Sequence, residues 1–449
     1  MSTRTRGGTH VVDGPCTQVI DSVGELRSEC LRRRHSLTAR VLPLPLADLR
    51  RWSLTEEGAL AHETGRFFRI VGARDTSDPL HPLEQPLIEQ HEVGMLCLFV
   101  TLFDGEFHGL ITFKFEPGTP DGVEVAPTVQ ATRSNYEAAH GGTRVPAAEI
   151  ALSNDVRTFA DAVQREQESW FLGKVNRNRV VRLAPSEAVE VARSLPESRW
   201  VPIRVLLAAA LESRLLNMDL RSVLSMWPLE ALSPVVPHLA EEPPTRGLEP
   251  PVGRSSPALV PLRRLSEWYM ADNIEHRQRR FFSVVGCRVE GQGREVASWD
   301  QPLLAPAGMG QCTLLMQRSV RGLELLVADR VRIGSVRGAS LEARFQRGDI
   351  ADHATGARRL SMSEEASGLA RCATVHAVVH AEEGGRFRGA LTTYQLGLLS
   401  DAAGERPAGR WMTLREVEAL GQRGDRLGVE LRTCLVMVKG LLATGVLTT

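Results

Sequence analysis

The sequence predicts an α+β protein assembled as a tandem duplication of one mixed-sheet domain. Three observations predict it: the chain repeats itself, strand-type runs precede helical ones within each copy, and a proline-rich joint separates the copies. His62-Glu-Thr-Gly-Arg-Phe-Phe-Arg-Ile-Val-Gly-Ala-Arg74 aligns with His276-Arg-Gln-Arg-Arg-Phe-Phe-Ser-Val-Val-Gly-Cys-Arg288. Trp52, Gln85-Pro86 and Gly94 match Trp268, Gln301-Pro302 and Gly310, and the segment from Trp200 matches the one from Trp411. The separation drifts from 216 to 211 residues, as loop insertions produce. Between His238 and Pro261 the sequence concentrates proline, glycine and serine, which propagate neither helix nor central strand. The expected organisation is a first repeat over 1–240, a linker over 241–261 and a second repeat over 262–449.

Within the first copy the elements follow in order. RFFRIVGAR reads as a strand. GMLCLFVTLF and GEFHGLITFKF read as two more, joined at Asp104-Gly105, a dipeptide that between β-type runs signals a hairpin. Segments 155–169, 186–194 and 203–216 read as helices from their apolar spacing and their content of Ala, Leu, Glu and Arg. In the second copy TVHAVVH is a β-type run, which sets His376 and His380 roughly 13 Å apart, too far for one metal ion. Both are expected to be structural.

With 449 residues, 43% hydrophobic and 24% charged, the chain is long enough for two packed cores. Its 54 basic and 54 acidic residues cancel, so no bulk field draws it to nucleic acid or to an anionic membrane. No apolar run approaches the roughly 20 residues that span a bilayer, and the N-terminus lacks a signal-peptide core, so a soluble cytoplasmic protein is expected. Seven scattered cysteines with no C-x-x-C pair fit a reducing compartment and oppose a zinc or disulfide framework. There is no dinucleotide fingerprint, P-loop, H-E-x-x-H or G-x-S-x-G.

Only Lys114, Lys174 and Lys439 are lysine; the other basic residues are arginine. Against that bias two lysines stand in the densest polar stretches. Lys114-Phe-Glu116 sets an ammonium and a carboxylate on one face of a strand, where Gln130, Arg133 and Tyr136 of VQATRSNY can converge with them. Asn135 and His140 follow in the same stretch. Trp170-Phe-Leu-Gly-Lys174-Val-Asn176-Arg177-Asn178 precedes a β-type run. There Lys174, Asn176 and Asn178 share a face and, with Arg177, suit a diphosphate and sugar or base edges. The first has a plainer alternative as a solvated strand face with an ordinary ion pair, which the rarity of lysine in this chain weakens, and the second reads equally as a basic edge strand whose charges block aggregation.

EPG, APTVQATRSNY with the following HGG, WFLGKVNRNRVV and NMDLRSVLS together resemble the NDP-hexose 2,3-dehydratases of deoxysugar biosynthesis. The resemblance implies loss of water from a dTDP-linked 4-keto-6-deoxyhexose, typically dTDP-4-keto-6-deoxyglucose, without redox cofactor or metal. It further implies a duplicated Nudix-like domain, a homodimer, and a downstream 3-ketoreductase that consumes the product for natural-product, typically antibiotic, biosynthesis. Glu116 is the candidate base with His140 next in line, Lys114 the electrophile, and Tyr136 the acid. Gln130, Arg133, Asn135, Trp170, Lys174, Asn176, Arg177 and Asn178 are the candidate substrate-binding residues. The second copy lacks the K-x-E-P-G and N-R-N stretches and is expected to serve as framework. The competing readings are a non-catalytic auxiliary subunit that binds the nucleotide sugar, and a sugar-nucleotide epimerase or isomerase.

Overall fold

The computed structural model describes residues 19–77, 83–132, 147–232, 256–291, 298–347, 372–399 and 407–448. The first half opens with α1 (Val23–His35), β1 (Arg40–Leu44), β2 (Trp52–Leu54), β3 (Leu60–His62), β4 (Arg69–Asp75) and β5 (Leu83–Glu89). Then come β6 (Gly94–Phe103), β7 (Glu106–Phe115), β8 (Val123–Ala126), β9 (Val129–Ala131), α2 (Ala148–Leu152), β10 (Arg157–Arg165) and β11 (Val175–Arg182). It closes with α3 (Pro185–Ser194), β12 (Arg199–Pro202), α4 (Ile203–Ala209) and α5 (Met218–Ser225). The second half has β13 (Ala258–Val260), β14 (Trp268–Met270), β15 (Ile274–His276), β16 (Phe282–Glu290), β17 (Ser298–Pro306), β18 (Gly310–Ser319) and β19 (Gly322–Arg330). It ends with β20 (Ser340–Ala343), β21 (Phe345–Arg347), β22 (Cys372–Ala381), β23 (Leu391–Leu399), β24 (Arg410–Thr413), α6 (Leu414–Arg423) and α7 (Val429–Ala443).

Each half contributes a seven-stranded mixed sheet with the same succession of strands. The first runs β10-β11-β6-β7-β12 with β8 on β7 and β9 on β6; the second runs β22-β23-β18-β19-β24 with β20 on β19 and β21 on β18. In both sheets one pairing is parallel, β11 with β6 and β23 with β18, and the rest are antiparallel. The expected hairpin joins β6 to β7. Asp104 and Gly105 both take positive φ, 47° and 82°, the conformation whose twist matches the flanking strands.

The two smaller sheets exchange an edge. β1 pairs with β16 of the other half, Arg40 to Glu290 through Leu44 to Gly286, and β13 returns the favour on β4, Ala258 to Arg74 through Val260 to Gly72. Two indoles cross the same joint: Trp52 Nε1 donates to the Asp300 carbonyl at 2.7 Å and Trp268 Nε1 to the Glu84 carbonyl at 3.0 Å. Beneath the large sheets, α4 and α5 pack on α7, so Leu206, Leu220, Leu435 and Leu441 belong to one continuous core. No described helix is long and apolar enough to cross a membrane.

Two sequence expectations are corrected. Residues 155–169 are not helical: β10 occupies Arg157–Arg165 of them because Ala160, Ala162 and Gln164 alternate inward and the backbone completes a ladder with β11. The end of the expected linker is structured, since Ala258–Val260 gains a ladder with β4 that an isolated segment lacks; most of the linker lies outside the described residues. His376 and His380 sit on β22 as expected, and their Nε2 atoms bond the carbonyls of Leu211 and Ala210 at 2.9 and 3.0 Å, fastening the end of α4.

Candidate active site

A cavity of about 670 Å³ opens between the halves, and the ends of β7 and β9 and the starts of β11 and α5 converge on it. At the end of β7, Lys114 and Glu116 face into it, as their spacing predicts. Gln130, on β9, joins them: its backbone carbonyl accepts from Lys114 Nζ at 3.0 Å and its Nε2 donates to Glu116 Oε1 at 2.8 Å. Asn217 Nδ2 donates to Gln130 Oε1 at 2.9 Å, and the Asn217 carbonyl-type Oδ1 accepts from Leu220 N at 2.9 Å, capping α5. The helix start and the carboxylate of Glu116 are thereby tied through a single amide. Asp219, at the second position of α5, enters the cavity and is 5% exposed.

The second wall is built on β11. Lys174 Nζ donates to the carbonyls of Glu92 and Val175 and to Asn176 Oδ1, the last at 2.8 Å. Asn176 Nδ2 in turn donates to Glu166 Oε1 at 2.7 Å. Burial pushes the Lys174 ammonium down to about 8, against the pull of Glu166. The Nε2 of Gln90, Oε2 of Glu166 and Nε of Arg386, all on cavity-lining residues, are buried polar atoms with no protein partner.

The third wall comes from the second half. Gly118 N donates to the Gly384 carbonyl at 2.7 Å and Gly389 N to the Gly118 carbonyl at 2.8 Å, locking the turn at 383–389 against the Glu116-Pro-Gly118 corner. Gln301 Nε2 holds the Gly385 carbonyl at 2.9 Å. Glu383 on this turn is pushed up to about 7, chiefly by burial and with Glu116 and Glu166 adding to it, while Arg386 opposes. The Arg386 guanidinium lies over Phe68 at 4.2 Å and reaches Gln90 Oε1 at 3.4 Å. Arg50, Arg51 and Arg66, all exposed, form a cationic rim of the cavity together with His62 and Trp299. Arg50 is held by Asp300 at 3.0 Å and Arg51 by Glu63 at 2.6 Å.

Of the residues singled out from sequence, Glu116, Lys114, Gln130, Lys174 and Asn176 meet in this cavity. Arg133, Asn135, Tyr136 and His140 lie outside the described residues. The other three do not line it. Arg177 is on the opposite face of β11, its guanidinium clamped by Asp161 at 2.6 and 2.8 Å, because neighbouring strand residues point to opposite sides. Asn178 shares the face of Asn176 but is fully buried one step deeper, bonded to Gln164 Oε1 at 2.6 Å. Trp170 packs its ring 3.9 Å from that of Phe387 in the core between the halves, where its bulk serves burial. Sequence reasoning missed Glu166, Asp219, Glu383, Arg386 and the three rim arginines. Asp219 did lie within NMDLRSVLS; the others carry no local signal.

The second half, expected to serve as framework, therefore also lines this cavity, and its own counterpart of the cavity is filled. Arg330 pairs with Ser340 where Lys114 pairs with Glu124, which places Arg332 at the position of Glu116. Arg332 forms an ion pair with Glu342, Arg165 one with Glu168 at 3.0 Å, and about 10 Å³ of space remains.

A family model described as NDP-hexose 2,3-dehydratase matches residues 24–227 and 253–438 of this chain. Three curated relatives carry the name dTDP-4-dehydro-6-deoxy-alpha-D-glucopyranose 2,3-dehydratase. The one from Amycolatopsis orientalis is 32% identical over 438 residues, covering 93% of this chain and 90% of its own length. The one from Streptomyces violaceoruber is 34% identical over 422 residues, covering 90% and 94%. The one from Saccharopolyspora spinosa is 33% identical over 436 residues, covering 90% and 88%.

Proposed function

The chain belongs to the NDP-hexose 2,3-dehydratase family, and from that premise we propose that its cavity removes water across C2–C3 of a nucleotide-linked 4-keto-6-deoxyhexose, dTDP-4-keto-6-deoxyglucose in the first instance. The observation that carries this reading is that Glu116 and Lys114, both bonded to Gln130, line a cavity that is also lined by Arg50, Arg51 and Arg66. Its volume, about 670 Å³, falls in the range of roughly 300–1,000 Å³ usual for small-molecule sites.

The C4 ketone acidifies the C3 hydrogen. A base must reach that hydrogen, and positive charge must meet the enolate oxygen where it forms. Glu116 is the base: Gln130 holds one of its oxygens and leaves the carboxylate oriented into the cavity. Lys114 is the cation for the C4 oxygen, anchored by the same Gln130 through its carbonyl. When the enolate collapses, the C2–O bond breaks, and the resulting C2=C3 enol tautomerises to the 3,4-diketo-2,6-dideoxyhexose. Arg50, Arg51 and Arg66 supply the diphosphate end, with bidentate geometry that a lysine does not offer. Lys174 and Asn176 face the sugar from the opposite wall. Arg133, Asn135, Tyr136 and His140 remain part of the proposal as further contributors from the first half.

The matching strand successions support descent of both halves from a duplicated Nudix-like mixed-sheet domain, in which the filled counterpart pocket has become structural. Family resemblance extends the proposal to a homodimer serving natural-product biosynthesis and to a 3-ketoreductase that takes the reactive diketone. The test is incubation with dTDP-4-keto-6-deoxyglucose in deuterated water, following C3 exchange and water loss separately. Wild type should do both and Glu116→Gln neither. Exchange by Glu116→Gln at the wild-type rate removes Glu116 as base, and C3 exchange or epimer without water loss in wild type points to an epimerase.

A further inference from the structure

Resting on the dehydratase reading, we propose that Asp219 is the proton donor to the departing C2 hydroxyl. The argument is geometric first. Asp219 lines the same cavity as Glu116 and Lys114, stands at the second position of α5, and is 5% exposed. Asn217, two residues earlier, both caps that helix and donates to Gln130, which donates to Glu116, at 2.9, 2.9 and 2.8 Å. The two carboxyl groups are thus placed relative to each other by one hydrogen-bonded relay rather than by a loop.

The surroundings of Asp219 then fit the acid role. Glu116 accepts a hydrogen bond from the Gln130 amide, which orients it. Asp219 is desolvated, and three acidic neighbours, Glu116, Glu166 and Glu383, oppose its ionisation; Lys114 pulls the other way without prevailing. A buried carboxylic acid has a proton to give, and the elimination requires one, because hydroxide is a poor leaving group.

The step balances. Glu116 takes the C3 proton, the C3–H pair forms C3=C4 as the C4=O π pair moves onto oxygen, and when that oxygen pair re-forms C4=O the C3=C4 pair moves to C2=C3 as the C2–O pair leaves with oxygen. The Asp219 proton joins the leaving oxygen as water. A proton passing from Glu116 to Asp219, directly or through water, restores both groups.

The experiment uses Asp219→Asn, an isostere that keeps the hydrogen-bonding size of the protonated acid and has no proton to transfer. With dTDP-4-keto-6-deoxyglucose in deuterated water, C3 exchange should stay within about threefold of wild type while water loss falls by about 100-fold or more, the usual contribution of general acid catalysis. The same variant given the C2-fluoro analogue, whose leaving group needs no proton, should release fluoride at close to the wild-type rate. Near-normal water loss by Asp219→Asn overturns the proposal, as does loss of fluoride release in parallel with water loss. Asp219→Ser, with a residue type suited to a helix start, is carried through both assays so that poor folding of one variant leaves the question decided by the other. Tyr136→Phe is the rival arm: if it alone keeps exchange and loses elimination, the acid is Tyr136. Failure of the dehydratase reading is distinct, because wild type itself would then release no water.

Discussion

Gly118→Ala is the sharpest test of the joint between the halves. A Cβ added there lies 1.6 Å from the Phe387 carbonyl oxygen and 2.8 Å from that of Gly384. An ordinary C···O contact is about 3.3 Å, so the turn at 383–389 has to retreat by about 1.7 Å. That retreat breaks the bonds from Gly118 N to the Gly384 carbonyl, 2.7 Å, and from Gly389 N to the Gly118 carbonyl, 2.8 Å. At about 1 kcal/mol each, and more where a buried group is left unmet, the loss comes to about 2–4 kcal/mol. For a chain of this length the unfolding entropy is on the order of 0.9 kcal/mol per degree, so the melting temperature should fall by about 3 °C. Turnover should fall further, by about 100-fold, because Glu383, Gly385 and Arg386 ride on the displaced turn and misplacement by about 1 Å at a site can cost that much. Gly24→Ala is the control, since nothing lies within 4 Å of a Cβ at that position. Calorimetric melting and water-release rates read both effects. Melting and turnover that match Gly24→Ala would refute the close approach; a lower melting temperature with normal turnover would refute the place of this turn in the site.

Two further outcomes follow from the geometry of the cavity. Arg51→Ala and Arg66→Ala should each weaken dTDP binding by about 10-fold or more, the worth of one charge-assisted contact, whereas Arg177→Ala should leave it unchanged because Asp161 holds that guanidinium on the outer face; isothermal calorimetry separates the two. Glu383→Gln should alter the pH dependence of stability: the folded-state value of about 7 lies above the ordinary carboxylate range, so the folded protein binds more protons than the unfolded one and wild type loses stability as pH rises from about 4.5 to 7. The variant should therefore be more stable than wild type at pH 8 by about 3 kcal/mol and no more stable at pH 4.5, measured by urea unfolding; equal gains at both values would count against the buried acid.

Short-range signals were readable without coordinates. Asp104-Gly105 marked its hairpin because its backbone preference is local, and the spacing of Lys114 and Glu116 put both on one face because a strand has period two. The same period, applied to 174, 176 and 178, found Lys174 and Asn176 but not the depth of Asn178, which the packing of Gln164 above it sets. Composition misread 155–169, where alanine, glutamate and arginine content favoured a helix and the ladder with β11 outweighed it. The exchange of β1 and β13, the approach of Gly118 to the turn at 383–389, and the entry of Glu383, Arg386 and the rim arginines into a first-half site all join residues some two hundred positions apart or more, or unite loops with no periodicity of their own. Internal repetition announces that two similar units exist. How their surfaces interlock depends on shape and on the burial of polar groups across the joint, quantities that arise after the chain has folded back on itself and leave no local mark along it.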